Sequence, residues 1–383
     1  MPTTLTRPSH RPITGDDVQA DLFACALCRT ASLPTIEDHF EPALIELADR
    51  RYRGLSLQEL LLASAQANGY RERHFRHDAP GILRAAFSTN RISGILSGIA
   101  TKFLLAGFTA VEQSWRTIAA IRPVNDFKPV ESYRLTGEDR YQKVAPGGEL
   151  HHGTLGQESY TNQAETYGRM LSITRQDLIN DDLGALTTPA RLLGRGAALA
   201  LNDVFWTTFL DHAGFFDASH GNLLSGVDTR LSIDGLTKAE VRFLEQTDSQ
   251  GAPLGLNPAV LLVPPSLGVT ATALMTSLEL RDNYGAPGGK YPVANPHAGK
   301  FQVVRSAYLN TPSIPGGSTK AWYLLADPRD AATIEIAFLN GNESPTIDSA
   351  EADVSLLGIQ MRGFHDFGIS RQDHRAGVKA EGA

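Results

Sequence analysis

Residues 188–211, TPARLLGRGAALALNDVFWTTFLD, decide the reading of this chain. Thr188 is placed to cap a helix, and Pro189 sits where a missing N–H costs nothing. No proline follows before Leu210, and Gly214 is a stop signal. The stretch predicts one helix over Thr188–Asp211, about 33–36 Å long. Leu193, Gly196, Ala197, Ala200 and Val204 form one stripe, with Gly and Ala where a second backbone can approach. Leu192, Leu199, Leu201, Phe205, Trp206 and Phe209 spread apolar surface round most of the rest. Arg191, Arg195 and Asn202 leave a narrow polar strip within about 40° of the wheel. A helix this apolar is packed on several sides.

Outward from it, 383 residues are enough for two or three domains. A formal charge of −7 argues against a protein that coats nucleic acid by charge, while leaving room for a local basic patch. The two cysteines, Cys25 and Cys28, form no disulfide framework and suit a reducing compartment. No run of 18 apolar residues suggests a membrane span. The N-terminal MPTTLTRPSHRPITGDD lacks the apolar segment of a signal peptide.

Three short helices are predicted between Asp17 and Gly69. RERHFRHDAP, residues 71–80, reads as an exposed linker, so residues 1–84 form a loosely joined helical unit. Residues 85–122 read as Gly-punctuated apolar turns, GILSGIATKFLLAGF, followed by a helix over Thr109–Ala120. Two β-prone runs, around Phe127–Leu135 and Tyr160–Thr174, flank APGGELHHGTLG (145–156), which holds four glycines and two histidines. Together they predict a projecting hairpin. Such a hairpin is marginal alone in water, so its faces are expected on another chain. Beyond the long helix, helices over Thr237–Glu245 and Leu267–Leu280 alternate with strands at Val260–Val263, Phe301–Val304, Trp322–Leu325 and Ile334–Phe338. This suggests one α/β or α+β unit. Gly358–Ser370 reads as a further strand, and residues 371–383 as a polar tail.

No catalytic constellation emerges. Cys25-x-x-Cys28 lies on a helical pattern without a second pair, which favours buried thiols over zinc. His151–His152 lacks the i, i+4 spacing of a helical metal site and reads as an exposed or intersubunit pair. Asp177, Asp181 and Asp182 suit a helix N-terminus better than a cation. No phosphate loop, G-x-S-x-G elbow or HExxH occurs. No enzyme activity, cofactor or metal is therefore expected.

The segments AAFSTNRISGILSGIATKFLLAGF, SYRLTG, PGGELHHGTLG, TYGRMLSITRQDLINDDLGALT, LGRGAALALNDVFW, LLVPP, YPVANPHAGKF, WYLLADP and GIQMRGFHDFG stand in fixed order over residues 85–375. Together they resemble the major capsid proteins of tailed phages and prophages, the Mu-like head subunits and prohead protease/major capsid fusions above all. The resemblance implies an α+β fold of the Hong Kong ninety-seven type. In it, 85–124 are the N-arm and its helix, and 125–175 the extended loop (E-loop). Residues 176–255 and 342–383 are the peripheral domain with its spine helix, and 256–341 the axial domain. The fusion members carry a ClpP-like protease upstream. Here 84 residues precede the shell portion, so they are expected to be a scaffolding-like prosegment removed near Arg84–Ala85.

The implied function is a major capsid protein that self-assembles, through pentamers and hexamers, into an icosahedral head enclosing phage double-stranded DNA. The alternative is an encapsulin-like shell holding cargo proteins. The implied assembly contacts are Pro146, Gly147, Gly148, Glu149, His151 and His152 at the E-loop tip. Leu193, Gly196, Ala200 and Val204 are the expected packing residues of the spine helix. Implied partners are other copies, a portal, and a scaffold or protease during assembly. DNA would be held without sequence specificity, and no membrane is involved. The implied location is the virion head, assembled in bacterial host cytoplasm.

Overall fold

The computed structural model describes residues 15–88, 90–137, 144, 155–174, 176, 180, 183–211, 214–248, 251–280, 293–350 and 358–383. In chain order the first helices are α1 (Gly15–Thr30), α2 (Pro42–Arg51), α3 (Leu57–Ala67), α4 (Ala79–Ala86), α5 (Asn90–Thr109) and α6 (Trp115–Ile118). Strands β1 (Ala120–Val124), β2 (Val130–Gly137), β3 (Leu155–Asn162) and β4 (Glu165–Thr174) lead to the long helix α7 (Leu183–Leu210). Then come β5 (Leu223–Leu224), α8 (Ile233–Leu244), β6 (Pro258–Val263), α9 (Gly268–Thr276), β7 (Glu279–Leu280) and β8 (Val293–Ala294). The chain closes with β9 (Gln302–Arg305), β10 (Trp322–Ala326), β11 (Ile334–Leu339), β12 (Thr346–Ala350), β13 (Gly358–Arg371) and β14 (Gly377–Ala380). The fold is α+β, in two compact units.

Unit one comprises Met1–Val111, Tyr167–Leu199 and Ser344–His365. Its core joins Leu22, Cys25 and Cys28 of α1, Leu57, Leu60 and Leu61 of α3, Ile82 and Ala86 of α4, Ile92–Leu104 side chains of α5, and Leu186, Ala190 and Leu193 of α7. Ser56 and Glu59 form a reciprocal capping box at the start of α3, with bonds of 3.2 and 2.9 Å. Both thiols are free and fully buried. Burial raises both and pushes Cys28 up to about 12, so neither is a thiolate at neutral pH.

Two expectations change here. GILSGIATKFLLAGF is not a set of turns but most of a 20-residue helix, whereas the predicted Thr109–Ala120 helix shrinks to one turn, Trp115–Ile118. Ile92, Leu96, Ile99, Phe103 and Phe108 recur at helical spacing and are buried. Packing of that face outweighs the glycine penalty of about 1 kcal/mol each. Its Ile92–Thr109 window is long and apolar enough to meet a membrane-span criterion, and 44% of it is buried in the fold. The boundary drawn at Arg84–Ala85 falls inside α4, and residues on both sides of it share one core. The supposed linker is also anchored, because Phe75 is buried.

Unit two comprises Glu112–Thr166, Ala200–Glu343 and Asp366–Ala383. Its main sheet has the order β5-β14-β10-β6-β9. β10 pairs antiparallel with β14 and β6, while β6–β9 and β14–β5 are parallel. Phe243 of α8 and Leu274 of α9 join Leu261, Trp322 and Leu324 in one core. The predicted polar tail is overturned. Residues 377–380 are an inner strand, Val378 and Ala380 are buried, and the Gly382 and Ala383 N–H groups each donate to Thr229 Oγ1 at 3.1 Å. Val378 alone is a strong apolar signal there, and burial comes from the strands on either side.

β11, expected in one unit with β6, β9 and β10, lies in a different sheet and pairs parallel with β1 and antiparallel with the second half of β13. The first half of β13 pairs with β12 inside unit one. The run Tyr160–Thr174 is two strands, broken between Asn162 and Glu165, not one.

Candidate assembly site: the hairpin and the long helix

β2 and β3 pair antiparallel from Val130↔Asn162 to Gly137↔Leu155 and form a two-stranded sheet of their own. The predicted tip residues Pro146, Gly147, Gly148, Glu149, His151 and His152 lie outside the described residues. What the structure shows in detail is the hairpin's root. Glu335 on β11 and Asn162 at the end of β3 are both buried. Asn162 Nδ2 donates to Glu335 Oε1 at 3.1 Å and to its backbone oxygen at 3.4 Å. Ser132 on β2 donates to Glu335 Oε2 at 3.4 Å and accepts from Arg122 on β1. The Arg122 guanidinium lies 4.0 Å from the same carboxylate oxygen. A buried carboxylate is costly unless bonded and paired, and this one is both. It therefore ties one residue of each hairpin strand to the β1–β11 pair.

Further ties follow immediately. Gln163 Nε2 donates to Phe127 O at 2.9 Å, and Thr166 Oγ1 to Asp366 Oδ1 at 2.6 Å. A Cβ on Gly368 would lie 1.9 Å from Gln163 O, so glycine is required where β13 passes the hairpin's exit. None of Arg122, Ser132, Asn162 and Glu335 was singled out from sequence. One signal existed, the lone carboxylate in the otherwise apolar strand IEIAFL.

The long helix begins at Leu183 rather than Thr188. Pro189 therefore lies inside it and removes one helix bond, while Thr187 Oγ1 donates to Leu183 O at 3.2 Å across the first turn. Of the expected packing stripe, Leu193 is buried, Ala200 and Val204 are half-buried, and Gly196 is exposed. Among the described residues a Cβ at Gly196 meets nothing within 4 Å, so the close contact expected there is not made by them. The close contact is at Gly194, where a Cβ would lie 1.8 Å from Leu104 O; across it, one on Gly107 would lie 2.1 Å from Arg191 O. Two residues along a helix turn the side chain by about 200°, so Gly194 and Gly196 face opposite ways. In unit two, Phe205, Trp206 and Phe209 bury the helix's last turns, with Trp206 stacked on Tyr308 at 6.1 Å. Asn202, read as part of an exposed polar strip with Arg191 and Arg195, is buried and donates to Glu112 O at 2.9 Å. The two arginines are exposed.

The expected processing bond is held in helix. Ala85 O, beside it, accepts from Asn68 Nδ2 at 2.7 Å, and Ile82 and Ala86 are fully buried. In unit two a buried His297 places Nε2 at 2.9 Å from Thr237 Oγ1 and Nδ1 at 3.6 Å from Glu240, which also pairs with Lys300. Burial lowers the histidine's pKa, and the Glu240 charge only partly opposes it. Among the described residues no three His, Cys, Asp or Glu side chains group as a metal site.

A two-stranded arm tied at its root and a long helix buried at both of its ends are the features that stand out among the described residues. Residues 157–380, more than half of the chain, match the phage capsid protein family, and the chain belongs to that family. No curated protein matches the sequence. Similar solved structures include the capsid of cyanophage P-SCSP1u, at 12% identity and TM-score 0.45 over 70% of this chain and 88% of that one. Another is the capsid of Ralstonia phage GP4, at 12% identity and TM-score 0.47 over 69% and 87%. A third is a virus-like particle from Pyrococcus furiosus, at 11% identity and TM-score 0.42 over 74% and 98%.

Proposed function

We propose that this chain is the shell subunit of a tailed-phage head, a major capsid protein whose copies close into an icosahedral shell around double-stranded DNA. The observation that carries this is the family match over residues 157–380. The β2–β3 hairpin supports it, being a two-stranded sheet whose partners must come from elsewhere if its faces are to be covered. In this reading the hairpin is the E-loop, laid on a neighbouring subunit, and α7 is the spine of the tile. The main sheet of unit two, with α8 and α9, is the axial domain, which so drawn takes in β5, α8 and β14 from outside the expected 256–341. Heterologous contacts of one such arm close into rings when the rotation allows. Portal, scaffold and protease act as partners in the host cytoplasm, and the mature location is the virion head.

Size-exclusion chromatography with negative-stain microscopy of the purified full chain tests this. Shells, or rings of five or six, are the expected result. A protein that stays monomeric at every concentration and salt condition tried would overturn it. Shells that carry folded cargo enzymes and no DNA when recovered from the native host would point instead to a cargo compartment.

A further inference from the structure

The segment 71–78, RERHFRHD, read as an exposed linker, is a pinned, arginine-rich loop whose three arginines outnumber its two acids by one charge. Arg71, Arg73, His74, Arg76 and His77 are exposed around Phe75, which is 5% exposed and belongs to unit one's core. Both ends are tied as well. Gln66 Nε2 donates to Glu72 O at 2.9 Å, and the Tyr70 hydroxyl donates to Asp78. The other Asp78 oxygen accepts from Gly81 N at 3.0 Å and caps α4. The loop's two acids are thus occupied, Asp78 in the cap and Glu72 at 3.6 Å from His77. Arg71, Arg73 and Arg76 make no ion pair among the described residues.

Charge is distributed unevenly along the chain. Arg50, Arg51, Arg53, Arg71, Arg73, Arg76 and Arg84 stand against only Glu59, Glu72 and Asp78 between residues 50 and 84, in a protein of net charge −7. Every cationic side chain before Lys102 is an arginine. Guanidinium is the flat, weakly hydrated fork that suits phosphate oxygens, and a loop fixed at its middle and both ends has already met much of the ordering cost of binding.

We propose that this loop is a phosphate-backbone contact for double-stranded DNA, with Arg71, Arg73 and Arg76 as the binding groups. The choice of duplex rests on the head-shell reading. The contact carries no sequence information, because it is made to phosphates, which are the same at every base pair. It takes up the local basic patch that the net charge left room for: an acidic subunit can hold DNA through one basic surface.

The test is fluorescence anisotropy of a labelled duplex of about 30 bp with the full-length unassembled protein, between about 50 and 200 mM salt. Wild type should bind with a steep salt dependence. R71A/R73A/R76A should weaken binding at least tenfold at the lower salt and reduce the slope of log K against log salt by about 2 to 3. R71K/R73K/R76K should recover most of that slope. Equal slopes for wild type and the triple alanine variant would overturn the proposal. So would arginine-dependent binding of polyglutamate without binding of duplex, which would mark an acidic protein partner. R73E, a single exposed change, replaces the triple variant if that one loses its melting transition. Shell formation is scored separately by microscopy. Shells with unchanged duplex binding sink the loop alone, whereas absence of shells from every variant sinks the head-shell reading.

Discussion

The crossing of α5 on α7 and the root of the β2–β3 hairpin solve different problems with different chemistry. At the crossing two helix backbones touch, and Gly107 and Gly194 are there because any Cβ would strike a carbonyl oxygen. Dispersion and burial act there with no polar partner to satisfy. At the root, by contrast, a buried carboxylate, an amide, a hydroxyl and a guanidinium fix the ends of two strands. The first contact has no slack and governs whether unit one folds. The second is directional and governs where an arm points. A shell subunit needs both, a stiff tile and an aimed connector.

The largest effect should come from Gly194→Leu. Overpacking a backbone contact costs about 1–3 kcal/mol typically and more where backbone must move, so a large loss of melting temperature or failure to fold is expected. Gly196→Leu is its control, expected within about 0.5 kcal/mol of wild type in the free subunit. Equal losses at the two positions would dissolve the distinction between the helix's faces. Glu335→Ala comes next, at about 1–3 kcal/mol for leaving the Asn162 amide and the Ser132 hydroxyl without their side-chain acceptor and Arg122 without its counter-charge. Hydrogen exchange should quicken in β2 and β3 before it does in α5. Uniform quickening across both units would show that the root is ordinary core.

A smaller effect concerns pH. Burial lowers the His297 pKa below its ordinary 6.5, so the folded state favours the neutral ring. The unfolded chain then binds the extra proton first, and stability is lost as pH falls from 6.5 towards the lowered value. His39, also lowered by burial, acts in the same direction. His297→Gln should therefore flatten, without abolishing, the decline in urea midpoint between about pH 7 and pH 5. A decline as steep as wild type would assign the effect elsewhere. The smallest effect on the free subunit is expected from deleting 145–156, which should leave the melting temperature nearly unchanged while shells fail to form. Normal shells would remove the hairpin from the assembly mechanism.

Much of this was legible from residue order. Apolar content without interruption announced the long helix, and short β-prone or apolar runs announced the strands β2, β6, β9, β10, β11 and β13. The spacing of Cys25 and Cys28 on an apolar pattern marked buried thiols rather than a metal site, and both are buried. The ordered segments that resemble phage head proteins led to the family that residues 157–380 match. These are local or linear properties, and a sequence carries them directly.

The rest was decided by partners. Periodicity groups residues on a face but does not say which face meets a neighbour, so the close contact was expected at Gly196, and only the packing of α5 put it at Gly194. Asn202 is polar, but Glu112 O gives its amide a place inside. GILSGIATKFLLAGF is a poor helix by propensity and a good one once its face is buried. The C-terminal GVKA becomes an inner strand because β10 and β5 flank it, not because of anything it contains. By itself the sequence determined many of the elements and the kind of protein. Only the tertiary structure decided which faces touch, because a contact is a property of two surfaces and each segment carries only one.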